Sequence, residues 1–238
     1  SSSWSPLDGG TDNNNKTMTG GTGNDWYIVR GVAYVLSETS TLAGEIDTVQ
    51  TTVDWALGAN IEDLRMNDGA VLGTGNALAN RITGNSGSNT LTGLGGADSL
   101  FGMGGDDSLA GGNGNDTLNG GSGNDTLDGG AGLDVFSVTT NLSSATNVDR
   151  ISGFNVVEDR IQLENAVFGK LATTGTLSAA HFRASTTGTA ADSNDYVLYE
   201  TDSGQLYYDA DGGGAGARVL FATLTGTPVL TAADIFVS

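Results

Sequence analysis

Five aspartates recur every nine residues in the middle of this sequence, and a glycine-rich run precedes each of them. They are Asp98, Asp107, Asp116, Asp125 and Asp134. Short carboxylate side chains beside flexible main-chain carbonyls suit Ca²⁺, which accepts about six to eight oxygens in irregular geometry. Mg²⁺ demands a strict octahedron and keeps its waters, so it is the poorer match. The spacing therefore predicts a series of calcium sites.

The residues around these aspartates form a nine-residue repeat. Six consecutive units occupy residues 84–137, and 17 of these 54 residues are glycine, which permits positive φ angles and tight turns. A seventh unit, residues 75–83, has lost most of its glycines. The eighth position of every unit is Ile, Leu or Phe, usually between polar neighbours, as in a short strand. We predict a turn over the first six residues of each unit and a strand over the last three.

Alternating turns and strands wind a chain into a coil with two units per revolution. Successive coils stack at the strand spacing of about 4.8 Å, which places Asp over Asp at the edges and Leu over Leu inside. Carboxylates roughly 5 Å apart repel by several kcal/mol unless a cation lies between them. Asn80 and Asn89 replace the aspartate in the first two units, and we interpret their coils as a metal-free continuation.

The units over residues 93–137 resemble the calcium-binding nonapeptide of RTX proteins, G-G-x-G-x-D-x-U-x, where U is a large apolar residue. The resemblance implies an all-β fold, a parallel β-roll that holds several Ca²⁺ ions between the loops of successive coils. It also implies that the five aspartates are side-chain ligands. The loop carbonyls that it implies as further ligands are those of Gly93, Gly95, Gly102, Gly104, Gly111, Gly112, Gly114, Gly120, Gly121, Gly123, Gly129, Gly130 and Gly132.

The flanks divide the chain into three predicted segments. Residues 1–74 hold degenerate RTX-like coils with one isolated match, GGTGND, which makes Asp25 a predicted ligand and Asp12, just before it, a weaker one. Residues 75–137 hold the calcium β-roll. Residues 138–238 hold a C-terminal antiparallel β cap and a secretion signal.

The third segment is richer in aromatic residues and poorer in glycine. Two alternating runs within 196–209 predict a hairpin, and 217–224 supplies a third strand. Aromatic side chains in these strands either cap the open end of the roll or form a sugar-binding platform. These side chains are Tyr196, Tyr199, Tyr207, Tyr208 and Phe221.

Two further acidic stretches follow the repeat. Residues 148–165 resemble the segment after the roll in serralysin-type proteases, which implies that Asp149 and Asp159 bind calcium. Gly153 and Gln162 stand where that family usually has further Asp, so the likeness is incomplete. The run DADGGG at 209–214 is either a metal loop at Asp209 and Asp211 or an ordinary turn.

Composition narrows the range of partners. The formal net charge is -19 and the sequence pI is about 4.1, which argues against nucleic acid and anionic membrane surfaces as partners. The sequence has no cysteine and no apolar run long enough to span a membrane. It begins without Met or a signal peptide, so we expect a piece of a longer protein. The ending TAADIFVS resembles the uncleaved signal of type I secreted bacterial proteins.

These observations predict a non-catalytic calcium module, secreted from a bacterium through type I machinery and preceded by a catalytic or adhesive domain. The sequence holds one His, no Cys and no nucleophile motif that would indicate an enzyme. The alternative is a calcium-dependent adhesion or polysaccharide-binding module. An RTX protease or lipase fragment that retains activity would need a catalytic constellation that the sequence does not show.

Overall fold

The structure is a computed structural model that describes residues 7–8, 16–31, 34–42, 44–214 and 216–238. In this part of the chain the regular elements are β-strands and two short 3₁₀ helices, Ala179–His181 and Ala232–Asp234. Most strands pair in parallel within two long sheets that enclose one hydrophobic core. The all-β class and the parallel β-roll are therefore confirmed.

The strands are numbered in chain order. The first sheet runs β1 (Leu7–Asp8), β3 (Trp26–Val29), β5 (Thr48–Thr51), β7 (Asp63–Met66), β9 (Arg81–Thr83), β11 (Ser99–Gly104), β13 (Thr117–Ser122), β15 (Val135–Val138), β17 (Arg160–Leu163), β23 (Ile235–Val237) and β18 (Gly175–Thr176). The second runs β19 (Phe182–Ser185), β20 (Val197–Glu200), β21 (Gln205–Tyr208), β22 (Val219–Leu224), β16 (Asp149–Ser152), β14 (Thr126–Ala131), β12 (Ser108–Asn113), β10 (Thr90–Gly95), β8 (Leu72–Thr74) and β6 (Trp55–Ala56). A separate parallel pair consists of β2 (Lys16–Thr19) and β4 (Tyr34–Ser37).

Within the repeat, residues that are 18 apart in sequence lie side by side. Leu100 lies beside Ile82 and Leu118 in the first sheet, and Leu109 lies beside Leu91 in the second. These eighth-position side chains point inward and are at most 1% exposed. The two units of each coil thus contribute one strand to each sheet, as the sequence predicts.

The division of each unit into turn and strand differs from the prediction. Strands β10 to β14 are each six residues long and include the first three residues of the following unit. The prediction of a six-residue turn is therefore wrong, because the turn covers only the fourth to sixth positions. The glycine-rich loops pair across coils, Leu94 with Gly112 and Met103 with Gly121. Stacking in register satisfies the peptide groups of the loops as it does those of the strands.

Antiparallel strands close the C-terminal end of the roll. The predicted hairpin and third strand are confirmed, since β21 pairs antiparallel with both β20 and β22. Strand β22 then joins β16 in parallel and continues the second sheet. The Phe168 ring packs edge-on against the rings of Tyr208 and Phe221, with centroids 5.1 and 5.2 Å away. Tyr199 is also fully buried. These rings belong to the core of the cap.

The last residues of the chain are part of the first sheet. After the 3₁₀ helix Ala232–Asp234, strand β23 lies between β17, its parallel partner, and β18, its antiparallel partner. Ile235 and Val237 are each 1% exposed. The Ser238 N–H donates to the Leu163 carbonyl at 3.0 Å. The C-terminal segment is therefore built into the roll.

Both sheets run across the predicted segment boundaries. The second sheet continues from β8 to β10 across residue 74, and both sheets continue from the repeat into β16 and β17 across residue 137. The division into residues 1–74, 75–137 and 138–238 stays a prediction from sequence. Asp12 lies outside the described residues.

Candidate metal centre

The loops of the repeat form two columns, one along each edge of the roll. Loops that end in Asp98, Asp116 and Asp134 lead into strands of the first sheet, and loops that end in Asp107 and Asp125 lead into the second. All five aspartates are at most 3% exposed. The structure thus collects the predicted aspartates into two stacks whose successive members are one coil apart.

One oxygen of each aspartate holds the preceding coil in register. Oδ1 of Asp98 accepts the main-chain N–H of Asn80 at 2.7 Å, and Oδ1 of Asp116 accepts that of Asp98 at 2.8 Å. The bond from the Asp116 N–H to Asp134 is 2.9 Å long. The equivalent bonds in the other column are 2.7 and 2.8 Å long. Each carboxylate therefore satisfies a buried main-chain donor of the preceding coil.

The other oxygen of each aspartate has no partner. Oδ2 of all five predicted aspartates is buried and accepts no hydrogen bond. Among the described residues, the one other buried carboxylate oxygen in this state is Oδ1 of Asp63. A buried carboxylate without a counter-charge is strongly unfavourable. At neutral pH, a bound cation would stabilise five such oxygens, all at the sixth position of a glycine-rich unit.

The surroundings of these oxygens fit a hard cation. Oδ2 of Asp98 and the carbonyl oxygen of Gly111 both lie against the α-carbon of Gly93, where a methyl group would overlap both. Oxygens from two successive coils therefore converge at a point where only glycine leaves room. The same arrangement occurs twice more, with Asp107 and Gly120 at Gly102, and with Asp116 and Gly129 at Gly111.

The remaining predicted carbonyl donors lie in two environments. Gly95 and Gly104, in the third position, have room for a side chain, since a methyl group there would be 3.7 Å or more from its nearest neighbour, an ordinary contact. The glycines of the second and fourth positions have positive φ angles and pack directly on a carbonyl of the preceding coil. They are Gly112, Gly114, Gly121, Gly123, Gly130 and Gly132. Which of these carbonyls bind calcium stays a prediction.

Burial raises the pKa values of the column aspartates in the calcium-free protein. It is the main cause that raises the pKa of Asp98 and Asp134 to about 6 and that of Asp107 to about 7. Repulsion from the next carboxylate of the column adds to the increase, as from Asp116 on Asp98 and from Asp125 on Asp107. The calcium-free columns therefore carry full charge at neutral pH only at a cost in folding free energy.

These pKa values predict that acid stabilises the calcium-free roll. An ordinary Asp titrates near 3.8, so between about pH 4 and 7 the folded state binds more protons than the unfolded state. Its stability should therefore increase as pH falls through this window and decrease as pH rises through 6 to 7. In protein stripped of metal, we expect more β-structure by far-UV circular dichroism at pH 5 than at pH 7.5. The calcium-loaded protein should instead be more stable at pH 7.5 than at pH 5, because protons compete with Ca²⁺. Loss of calcium-free β-structure on acidification from pH 7.5 to pH 5 would contradict the assignment.

Asn80 and Asn89 satisfy the same position without a metal. Oδ1 of Asn80 accepts the Asn76 N–H at 2.6 Å, and its Nδ2 donates to the Ile61 carbonyl at 3.1 Å. Asn89 makes the corresponding bonds within the other column. An amide carries no charge and supplies a donor where the carboxylate has none. These hydrogen bonds support the interpretation that the first two units of the repeat need no ion.

Asp149 and Asp159 extend the two columns beyond the repeat. Oδ1 of Asp149 accepts the Asp125 N–H at 3.2 Å, and Oδ1 of Asp159 accepts the Asp134 N–H at 3.0 Å. Burial, followed by repulsion from Asp125, raises the pKa of Asp149. Both residues thus occupy the place of the next repeat aspartate, although the intervening loops have other lengths. Their role as calcium ligands stays a prediction.

Asp25 lies in a second acidic cluster near the N-terminal end. Carboxylate oxygens of Asp25, Glu38 and Asp47 lie within 4.8 Å of one another. The Tyr27 hydroxyl donates to Glu38 at 2.7 Å, and burial with repulsion from Glu38 and other carboxylates raises the pKa of Asp47 to about 6. Asp25 itself accepts the Gly21 N–H at 3.0 Å. The prediction of Asp25 as a ligand stays open.

The loop at Asp209 resembles an ordinary turn. Oδ1 of Asp209 accepts the N–H groups of Asp211 and Gly212, and its Oδ2 accepts that of Gly213. Asp211 in turn accepts the Gly216 N–H at 2.7 Å. Main-chain donors of the same loop therefore occupy these carboxylates, which favours the turn over the metal loop.

Sequence periodicity missed part of the column on the first-sheet edge. The Asp25 N–H donates to Asp47 at 2.7 Å, and the Asp47 N–H donates to Glu62 at 3.0 Å. The column thus continues upstream, but with offsets of 22 and 15 residues, which no fixed period reveals. Periodicity also missed that Leu94 and Met103 adopt positive φ angles of 81° where later units have glycine.

A comparison with protein-family models agrees with the repeat and its aspartate columns. The family model described as the RTX calcium-binding nonapeptide repeat in four copies matches residues 74–109 and 101–136. No curated protein matches the chain. Among solved structures, the AlgE6R3 subunit of the Azotobacter vinelandii mannuronan C5-epimerase is 28% identical, with a TM-score of 0.30. That match covers 67% of this chain and 78% of the other.

Proposed function

We propose that this chain is a module that folds when calcium binds outside the cell. The premise is that residues 74–136 are RTX calcium-binding nonapeptide repeats. In this role it is the C-terminal folding, stabilising and secretion domain of a bacterial protein exported by type I machinery. An upstream catalytic or adhesive domain would supply the activity of the whole protein.

The single observation that carries the calcium part is the set of five buried aspartate oxygens without partners. The residues that would hold the ions are Asp98, Asp107, Asp116, Asp125 and Asp134, with glycine-loop carbonyls of the adjacent coil. A bound Ca²⁺ supplies positive charge between stacked carboxylates and links successive coils. The protein's own contribution is to collect the oxygens, exclude water from them and leave room through glycine.

Calcium concentration can then act as the switch for folding. Glycine entropy and carboxylate repulsion both oppose the calcium-free roll. Extracellular calcium modules bind with Kd values of about 10⁻⁴ to 10⁻³ M, well above cytoplasmic calcium. Binding free energy at such sites becomes folding free energy. A chain that stays unfolded until it reaches millimolar calcium is suited to passage through a channel.

The end of the chain supports the export part of the proposal. Residues 231–238 resemble a type I signal, and they form the last 3₁₀ helix and strand β23 of the folded roll. Because β23 is paired on both sides, these residues are accessible as a free segment only before folding. The described residues include no helix that is both long and apolar enough to cross a membrane.

A calcium titration tests the proposal. We expect cooperative gain of β-structure by far-UV circular dichroism at sub-millimolar to millimolar Ca²⁺, and none with Mg²⁺. Hydrogen exchange without calcium should leave residues 93–137 unprotected while amides around Ile82 and Leu91 keep more protection. A roll already fully formed and protected in excess EGTA would overturn it. Secretion of an upstream reporter through a type I channel, with and without residues 231–238, tests the export part.

The C-terminal tyrosines do not favour the polysaccharide alternative at the place where the sequence suggested it. Tyr199 and Phe221 are at most 1% exposed, and Tyr208 is 7% exposed. Tyr207 is covered on one face by Arg218, whose guanidinium lies 3.9 Å from the ring centroid. The rings of Tyr199, Tyr208 and Phe221 therefore belong to the core of the cap and offer no exposed face on which a sugar could stack.

A further inference from the structure

Two Asn–Gly pairs lie on either side of Asp116, and the sequence contains no others. They are Asn113–Gly114 and Asn119–Gly120. In an Asn–Gly pair the main-chain nitrogen of glycine can attack the amide of the preceding side chain, because glycine has no Cβ to hinder the approach and rotates easily. Both pairs are therefore candidate sites of spontaneous deamidation.

The Asn113 side chain is available for this reaction. It is exposed, and no hydrogen bond holds its amide in the part of the chain that the structure describes. Asn113 occupies the third position of its unit, where other units carry Gly, Ser or Ala, so the stack does not depend on an amide there. It joins the sheet through its main chain, in register with Gly95 and Ala131.

Folding blocks the attack by Gly114 because it fixes the peptide group that would have to turn. The Gly114 N–H donates to the Ala131 carbonyl at 2.8 Å, and the Asn113 carbonyl accepts the Gly96 N–H at 2.9 Å. The peptide between Asn113 and Gly114 is thus bound to the coils on both sides. Ring closure needs rotation of this peptide about the Cα–C bond of Asn113, which would break both hydrogen bonds. The reaction therefore requires local opening of the stack.

Other contacts restrain the second pair. Nδ2 of Asn119 donates to the Thr139 hydroxyl at 2.8 Å, and the main chain of Asn119 pairs with that of Phe101 in the preceding coil. Gly120 is buried, which keeps hydroxide away from its amide proton. Both Asn–Gly pairs are thus protected in the stacked coils and become reactive when the coils separate.

We propose that Asn113 and Asn119 are deamidation sites that calcium protects, and that their reaction ends the ability of the chain to fold. The proposal rests on the calcium-dependent folding proposed above, because the reactive state is the calcium-free chain. It identifies a chemical modification that records the time spent without calcium.

The reaction consumes water and releases ammonia. Hydroxide removes the proton from the glycine nitrogen, which then forms a bond to Cγ of the asparagine. The side-chain nitrogen takes a proton from water and leaves as ammonia, so a cyclic imide remains. Water then opens the imide. Cleavage of the new bond to Cγ gives aspartate, whereas cleavage at the main-chain carbonyl gives isoaspartate, in which Cβ and Cγ belong to the main chain.

Isoaspartate at position 113 would lengthen the main chain just before a point of direct contact between coils. A methyl group on Gly114 would overlap the Gly96 carbonyl, so even one more atom has no room there. Asp116 follows two residues after Gly114, and its Oδ1 must reach the Asp98 N–H at 2.8 Å. The additional main-chain atom would displace both the glycine contact and this carboxylate. Ordinary aspartate at position 113 keeps the length of the main chain and lies at an exposed site.

The test incubates the full chain at neutral pH in three solutions: excess EGTA, millimolar Ca²⁺, and Ca²⁺ with guanidinium chloride. Peptide mass spectrometry measures aspartate and isoaspartate at residues 113 and 119, and circular dichroism measures the folded fraction. Deamidation of Asn113 should be at least about tenfold slower in the folded calcium sample than in EGTA, because it then requires opening of the stack. Equal rates in the folded and the guanidinium-unfolded samples would overturn the proposal. A chain already folded in EGTA would contradict the calcium switch, yet the comparison with guanidinium would still test the protection.

A second measurement tests the loss of folding. Protein aged in EGTA and then titrated with calcium should lose folded fraction in proportion to its isoaspartate content. Asn113→Asp is the matched control, because it has the charge of the deamidated product and an ordinary main chain, and it should fold like fresh protein. The double variant Asn113→Ser with Asn119→Ser should withstand the same incubation. Full folding of isoaspartate-containing protein, or an equal loss in the double variant, would overturn the proposal.

Discussion

Asp116→Asn should raise the calcium concentration at the folding midpoint by at least about tenfold and should make the calcium-free protein more stable. Asp116 is the middle member of its column, so it borders the sites formed with both Asp98 and Asp134. Loss of a residue that only supports a ligand already costs about 10- to 100-fold in metal affinity, and removal of a ligand charge should cost no less.

The opposite change in calcium-free stability follows from the same substitution. Asparagine at this position keeps an oxygen for the Asp98 N–H and supplies the amide that Asn80 uses for a carbonyl of the preceding coil. It also removes one of the stacked charges whose burial is unfavourable. The calcium midpoint is measured by circular dichroism during calcium titration, and calcium-free stability by the amount of β-structure that each variant retains in EGTA.

Asp128→Asn is the matched control for Asp116→Asn. Asp128 belongs to β14 and has an exposed side chain on the outer face of the second sheet. Asp128→Asn removes one negative charge, as Asp116→Asn does. Its substitution should shift the calcium midpoint far less than Asp116→Asn does, because Asp128 contributes only the smallest of the repulsions on Asp134. If both variants shifted the midpoint equally, general electrostatics and not a site at Asp116 would explain calcium binding.

Gly114→Ala should prevent or severely weaken folding, whereas Gly95→Ala should have little effect. Gly114 has a φ angle of 138°, which costs a residue with a side chain roughly 1–3 kcal/mol. A methyl group there would also overlap the main-chain carbonyl of Gly96 in the preceding coil, and neither backbone can move without disturbing the stack. The expected loss therefore exceeds the strain alone.

Gly95 provides a control within the same repeat. A methyl group on it would lie 3.7 Å from the Asn113 carbonyl, an ordinary contact, and later units carry Asn, Ser or Ala at this position. Denaturant unfolding in saturating calcium compares the two variants. Equal stability of the two variants would show that the coils stack less tightly than the structure has them.

The features of the fold that follow a strict period were predictable from sequence. The apolar column through Leu100 and Leu118 and the aspartate columns both follow from nine residues per unit and two units per coil. The resemblance to RTX repeats supported calcium as the expected metal ion. The burial of Oδ2 in five aspartates follows from the stack, but the absence of any protein donor for it became visible only with the structure.

The features that depend on contacts between coils were not predictable. Loop residues such as Leu94 and Met103 became part of strands because identical loops pair in register, a property of the stack and not of one unit. Upstream, Asp47 and Glu62 continue a column across coils of unequal length.

The half-coil nature of each nine-residue unit constrains how the roll can change in length. One unit feeds the first sheet and the next feeds the second, so adjacent units face opposite edges. Loss of a single unit would turn everything downstream by half a revolution about the long axis of the roll. The C-terminal strands would then face the opposite way relative to strands β3 and β7. Loss or gain of 18 residues preserves the orientation of both ends, so lineages of such a roll should grow and shrink by pairs of units.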